Sequence, residues 1–416
     1  MAFNALNGAI PFLLLPILTA YLIPSDYGTV SLFQTTLAFI IPLVGLSMGF
    51  NIDRLFFKVS KDELSLVIGN MVFLLLIVVV IFTLLIIIFS STAVLNFVGL
   101  PYNWILIAPV IAGFSTLNAF NLILLRNKDS VKSFGVWQIS LTVLNLGLSL
   151  LFVVCLTMDW KGRALGIVLA TALLGVFSLF NVYRMGYAKF VFKREVLEDV
   201  LRICLPLLLQ GIGVFIIFQC SYYFINIFQG KSDVGIYSVA IAFASIMGIF
   251  KDALVKTINP WFYKNLNSVT EGFKMKIVKM NILIYVIFII FTFLIFFSSK
   301  VLIFYMIDIK YHAASNILFL LTLALAFNGI VGVNSVYFIH LSKTKILSVL
   351  TGITAVLSLL LNYFLIKEMG LVGASYAFSL SLLIHMLLTA VYAQKIYPLP
   401  YKLIFKTIIF KIIKNK

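Results

Sequence analysis

Charge is scarce in this sequence, and negative charge is scarcest: 11% of its 416 residues are charged, with 14 Asp and Glu against 31 Lys and Arg. A soluble globular domain carries about a quarter charged residues. With 62% hydrophobic residues and a mean hydropathy of +1.14, the chain is instead read as an integral membrane protein. Cysteine is nearly absent. Cys155, Cys204 and Cys220 lie inside apolar runs without metal-type spacing, so no disulfide, metal or other cofactor is expected. His312, His340 and His385 are scattered, with no second histidine at ligand spacing. Of the three, His385 falls mid-run, where a bond across helices or a proton relay is the expectation.

Long polar stretches are missing too. No loop is large enough for an extramembrane catalytic domain, and there is no phosphate-binding glycine loop, zinc motif or nucleophile triad, so the chain is not expected to be an enzyme. Its net charge of +17 is spread over many short loops instead of forming one patch, which disfavours nucleic acid and favours orientation in a membrane with anionic headgroups.

What the chain does have is a series of uncharged runs: 1–25, 27–52, 64–125, 133–158, 164–183, 203–230, 234–250, 280–299, 311–342, 346–366 and 369–394. A helix crosses a bilayer in roughly 17–25 residues. The run 64–125 holds two crossings with a turn around Asn96 to Pro101, and 234–250 must continue through Lys251 to reach full length. The expectation is an all-α polytopic membrane protein with twelve transmembrane helices. An even count leaves both ends on one side. All Lys and Arg except Lys161, Arg163, Lys231, Lys300, Lys310 and Lys367 fall on that side, so the termini are expected in the cytoplasm. The first run lacks the charged residues that precede a cleavable signal, so none is expected.

The runs also repeat. Ser25-Asp26-Tyr27-Gly28-Thr29-Val30-Ser31 opens the second run, and Ser232-Asp233-Val234-Gly235-Ile236-Tyr237-Ser238 opens the seventh, which is the eighth helix. At the same offset Gly166 and Ala170 are followed by Gly373 and Ala377, while Lys128 and Asn145 match Lys345 and Asn362 at a slightly larger one. One fold unit used twice explains the common order. The chain therefore divides into a six-helix lobe at 1–184, an amphipathic inner-surface linker at 185–202, a pseudo-symmetric six-helix lobe at 203–394 and a basic interfacial tail at 395–416. Under this offset Ile203 maps before Met1, which makes the first helix several residues shorter than its partner. Pro11 and Pro16 interrupt it. The second helix is expected from Thr29 to Phe50, with Gln34, Pro42, Gly45, Ser47 and Gly49 favouring close packing or a wet cavity over lipid.

Candidate functional residues are the charges within spans. Counted at 1.5 Å per residue from Val234, Lys251 and Asp252 lie about 26 Å into a core of roughly 30 Å, and Lys256 about 33 Å. A charge there costs roughly 3 kcal/mol or more unless paired or wet. Asp252 and Lys256 stand four apart and can simply pair on one helix face. Alternatively Lys251, with or without Lys256, meets an anionic ligand in a cavity between halves. Arg54 is the counterpart in the second helix, about 40 Å along and past the core, where Asp53 and Arg54 would form the inner mouth of that cavity.

Twelve helices in matching halves, the Asp-Tyr-Gly and Asp-Val-Gly-Ile-Tyr-Ser turns, and Gly370-Leu371-Val372-Gly373-Ala374-Ser375 opening the last helix together resemble the bacterial polysaccharide flippases of the O-antigen (Wzx) type. These belong to the multidrug/oligosaccharidyl-lipid/polysaccharide exporter superfamily. The resemblance spans essentially the whole chain and implies a MATE-like fold, alternating access and a cationic central cavity. It also implies an undecaprenyl-diphosphate-linked oligosaccharide as cargo, membrane lipids around it, the polysaccharide polymerase as a partner, and the bacterial inner membrane as the location. Lys251, Asp252 and Lys256 correspond to the region of cavity charges in related flippases. The first helix has no arginine, unlike the peptidoglycan-precursor flippases. Gln138, Trp137, Gln219, Tyr222 or Tyr223 would serve a sugar. The nearest alternative is a cation-coupled multidrug exporter of the same superfamily. Such exporters depend on an acid deep in a helix, and the first helix has none before Asp26.

Overall fold

A computed structural model describes residues 12, 14–266 and 271–401. The expectations for Pro11, for the start of the first helix and for most of the tail (402–416) lie outside the described residues. Among those described there is no strand. Helical residues 14–21 are followed by α1 (Pro24–Gly45), α2 (Met48–Leu55), α3 (Lys61–Phe89), α4 (Thr92–Val98), α5 (Tyr102–Asn127) and α6 (Val131–Leu150). A π-helical turn, Leu151–Cys155, leads to α7 (Asp159–Arg184) and α8 (Arg194–Phe228). Then come α9 (Lys231–Leu266), α10 (Glu271–Met306), α11 (Ala314–His340) and α12 (Thr344–Ile396). Ten of the described helices are long and apolar enough to cross a membrane. The longest, α12, is two arms meeting at Gly370, whose backbone (φ 58, ψ −133) is open to glycine alone. Beside it Gly373 touches the Leu365 carbonyl so closely that an added Cβ would lie 1.9 Å from it. The Gly370 to Ser375 motif is therefore the turn of a helical hairpin.

Compactness divides the chain differently from the sequence repeat. One unit holds Met1–Ser238 with Ile307–Tyr311, and the other Val239–Met306 with His312–Lys416. Within the first, the echoed turns meet. A Cβ on Gly28 would fall 1.9 Å from the Lys231 carbonyl oxygen, and one on Gly235 would fall 2.0 Å from that of Pro24. Each glycine is the only residue that lets the other's helix start where it does. Nearby, Tyr311 donates to the Leu22 carbonyl at 2.9 Å and packs edge-on to Tyr27.

Several polar residues in the apolar runs of this unit join helices. Trp137 donates to Asn118 at 2.9 Å and Ser178 at 3.1 Å, and Asn181 donates to Asn121 at 2.8 Å, tying α5, α6 and α7 together. In lipid such bonds are worth about 0.6 kcal/mol each, and more numerous ones specify which faces meet. Thr19 donates its hydroxyl back to the Leu15 and Pro16 carbonyls of its own helix.

Three sequence expectations are corrected here. The linker 185–202 is not a single amphipathic element: 187–193 is extended and α8 begins at Arg194. Its extended part is strapped to α3, where buried Asn70 donates to the Val191 carbonyl and accepts from the Lys193 amide, both at 2.8 Å. The Lys189 amide donates to the Ser65 carbonyl, and only a glycine at position 69 leaves room for the Lys189 carbonyl. A polar backbone without a sheet partner needs such anchors. The helix expected over Thr29 to Phe50 instead starts at Pro24 and breaks at Leu46 and Ser47, both at positive φ (47° and 54°). Finally, the turn between the third and fourth crossings is a longer piece, Ser90 to Pro101, that includes α4.

The second unit packs around α11, most of whose side chains are buried. Gly329 lets the Phe288 ring of α10 lie against its backbone, and the two arms of α12 are joined by Thr351 and His385 at 3.5 Å. That contact is the cross-helix bond expected of His385.

Candidate functional site

In the second unit, α9 carries its charges within an otherwise apolar stretch. Phe250 stacks on Phe291 of α10 with centroids 3.7 Å apart, and Val255 packs on Gly332 of α11, so this side of α9 is fixed by its neighbours. Lys251 emerges beside that packed side, its side chain 25% exposed, and its ammonium sits 3.3 Å from the Asp252 carboxylate, which is 58% exposed. The apolar stem packs while the charged tip reaches its partner. Lys256 lies one turn on, exposed, and forms no ion pair among the described residues. The i,i+4 pair of Asp252 with Lys256 is therefore not the one formed. Asp252 pairs with its preceding neighbour, and Lys256 is left as a free cation on the same helix.

The first unit holds the other candidates around a groove of about 550 Å³ between α1, the α1–α2 break and α8. Pro42 has no amide hydrogen, so the Ala38 carbonyl one turn back loses its helical donor. Both residues line the groove, with Ser47, Phe50, Gln210 and Gln219. The break at Leu46 and Ser47 turns α2 so that Phe50 reaches this groove. Arg54, one turn beyond, is exposed and close enough to Cys204 of α8 to act on it electrostatically.

Asp53 does something else. Its carboxylate takes Arg126 at 2.6 and 2.7 Å and Asn127 at 2.9 Å, which locks α2 to the end of α5. Gln138 lies on α6, which packs against α5 and α7, with its Oε1 enclosed and without a partner. Trp137 is spent on Asn118 and Ser178, Tyr223 bonds Thr36 at 3.1 Å and stacks on Phe97, and Tyr222 packs edge-on to Tyr237. The structure thus gathers Gln219 with Ser47 and Gln210 in the first unit, and Lys251 with Asp252 and Lys256 in the second. Asp53, Gln138, Trp137, Tyr222 and Tyr223 are not brought to the groove.

One residue escapes sequence reasoning altogether. Arg163, read there as an outer-loop charge, is buried in α7, 8% exposed, where it donates to Asn145 and to Ser149 of α6. Its signal is the small-residue setting Gly162-Arg163-Ala164-Leu165-Gly166, which lets α6 and α7 approach closely over it.

This is an all-helical, multi-pass membrane protein with the fold of multidrug and lipid transporters. Over 94% of its length it is similar to an inward-facing multidrug resistance MATE family transporter of the MOP superfamily (TM-score 0.70, 16% identity, 95% of that chain). It matches the lipid II flippase MurJ in its inward closed conformation comparably (TM-score 0.71, 15% identity, 94% of this chain and 87% of that one). The polysaccharide biosynthesis protein family model matches residues 1–266, and the chain belongs to that family. Among curated proteins it is 28% identical over 272 residues to protein 1 of the Lsg locus of Haemophilus influenzae, a match covering 62% of each chain. A second relative in that organism is known as an uncharacterized membrane protein, at 24% over 268 residues and again 62% of each chain. The matched region thus spans about 62% of the length of these relatives.

Proposed function

We propose that this chain is a flippase that carries an undecaprenyl-diphosphate-linked oligosaccharide from the inner to the outer leaflet of the bacterial cytoplasmic membrane by alternating access, supplying O-antigen or another surface polysaccharide. The observation that carries this reading is the cationic cluster on α9. Lys251 and Asp252 neutralise one another at 3.3 Å, and Lys256 forms no ion pair among the described residues. About 33 Å from Val234, at the edge of a core of roughly 30 Å, Lys256 is exposed where a polar headgroup or water reaches it. A lipid diphosphate is such a headgroup, while its prenyl chain stays in the bilayer. Membership of the polysaccharide biosynthesis family supports a glycan on the diphosphate.

In this reading both termini are cytoplasmic, no bond is made or broken, and the polysaccharide polymerase receives the cargo. Gln210 and Gln219 offer amides for sugar hydroxyls in the groove of the first unit.

The test is deletion in the native host with chemical analysis of surface glycan and of inner-leaflet lipid-linked repeat units. Loss of glycan with accumulation of the repeat unit is the expected outcome. Intact glycan with new sensitivity to dyes or antibiotics would replace the proposal with a cation-coupled drug exporter. In the complemented strain, Lys256→Ala should lower export while leaving protein abundance unchanged; normal export would remove Lys256 from the site.

A further inference from the structure

The second unit contains a cavity of about 500 Å³ where the ends of α10, α11 and α12 converge and the chain from Tyr397 to Tyr401 folds back across them. Gln394 holds that return in place, donating to the Leu399 carbonyl at 2.7 Å and accepting from its amide at 3.3 Å. Tyr397 donates to the Leu266 carbonyl and stacks on Tyr337 with centroids 5.6 Å apart. The walls are mainly tyrosine rings and small apolar side chains.

Polar groups on this cavity are conspicuously incomplete. Asn334, 2% exposed, accepts from Tyr285 at 2.8 Å through Oδ1, while its Nδ2, with two hydrogens, has no partner. Asn281, wholly buried behind the wall, gives both amide hydrogens to the hydroxyls of Tyr337 (2.8 Å) and Tyr401 (2.7 Å), and its Oδ1 is left without a donor. Both hydroxyls accept from Asn281; Tyr401 is also hydrogen-bonded to the Tyr285 hydroxyl, whose own proton goes to Asn334, so Tyr401 spends its proton there and Tyr337 keeps one to donate. Buried amides are ordinarily satisfied, and two incomplete ones beside one cavity call for a ligand.

The chemistry of that ligand follows from what is present and what is not. Among the described residues no carboxylate lines the cavity, which disfavours a cation. The one cationic residue among the described lining, Lys395, holds its ammonium over the Tyr392 ring, 5.0 Å from the centroid, instead of offering it to a phosphate. The free groups are neutral and of both senses, as hydroxyls require, and the flat aromatic walls suit the C–H face of a ring.

We propose that this cavity is a binding site for one neutral hexopyranose ring, whose hydroxyls accept from Asn334 Nδ2 and from the hydroxyl of Tyr337. The site deepens the function proposed above and rests on it only for the source of the sugar, which is either the terminal residue of a lipid-linked glycan or a free hexose.

The experiment uses the full-length protein purified in an amine-oxide detergent, since glycoside detergents would fill the site. A panel of methyl hexopyranosides is titrated by ligand-observed NMR, with inorganic phosphate as comparison. Saturable binding of at least one hexopyranoside is expected, weakened about tenfold in Asn334→Leu and about threefold in Tyr337→Phe, as the loss of one or two neutral hydrogen bonds implies. Circular dichroism and size exclusion establish that both variants are folded. Absence of saturable hexopyranoside binding, equal binding by folded Asn334→Leu, or preference for phosphate overturns the site. Competition by lipid-linked oligosaccharide assigns the sugar to the cargo, and absence of competition assigns it to a free hexose. Failure of the site in a strain with intact export leaves the flippase reading standing. Hexose binding in a chain whose deletion does not affect surface glycan retains the site and removes that reading.

Discussion

Single atoms decide several features of this molecule. A methyl at Gly28 or Gly235 would lie 1.9 or 2.0 Å from a backbone carbonyl, which no rotamer can relieve. Gly28→Ala and Gly235→Ala are therefore expected to lower the thermal midpoint in detergent by several degrees, whereas Gly211→Ala on α8, with nothing within 4 Å of its added Cβ, should not lower it at all. Equal midpoints in all three would contradict the packing described. Asn70→Ala strips the Val191 carbonyl and Lys193 amide of their shared partner and should cost about 1–3 kcal/mol, read as a fall in thermal midpoint and faster proteolysis near 187–193. Much at this scale is legible in the sequence as a position worth noticing. The echo of Asp-Tyr-Gly in Asp-Val-Gly marks two turns, but that the two press on one another depends on atoms far apart in the chain. The same holds for Asp53, whose engagement by Arg126 no local spacing encodes, and for Asn70, whose partner lies 121 residues away.

Helices are legible in the sequence, because an apolar run of sufficient length has one structure in a membrane. What the runs conceal are the interruptions. Pro42 hints at the end of α1, yet the break falls at Leu46 and Ser47, ordinary residues at positive φ with no local marker. Gly370 is the opposite case, since Gly-Leu-Val-Gly is visible and the turn sits on its first glycine. Gly370→Ala should disrupt the hairpin of α12, seen as lost abundance or a protease-sensitive site between 365 and 373; an unchanged digestion pattern would count against the assigned backbone. Between α6 and α7, Arg163 is held by amide and hydroxyl alone. Asn145→Leu leaves that guanidinium with Ser149 only and should cost about 1–3 kcal/mol, while Arg163→Lys loses the forked geometry and should behave similarly in the same thermal assay.

For the molecule as a whole, the candidate site was half visible. Charge inside an apolar run picks out Lys251, Asp252 and Lys256, because the cost of burying them is general. Their pairing was not visible, since adjacency on a helix ordinarily sends two side chains apart, and here the lysine stem bends to meet its neighbour. A double-mutant comparison separates support from function. If the Lys251–Asp252 pair is only structural, the double change to Ala restores both abundance and export that Lys251→Ala loses. If Lys251 also meets cargo, the double variant recovers abundance and still fails to export. The Asn334 and Tyr337 cavity lay beyond sequence reasoning, as its polar groups come from three elements and a chain return.

Where Gly28 and Gly235 touch, each helix start presents to the other the same face that it receives. A surface that fits its own duplicate is what two identical half-length chains would need to assemble about a shared axis. Fusion of such a pair would retain the glycine at both places, and a side chain gained on either copy would evict the other.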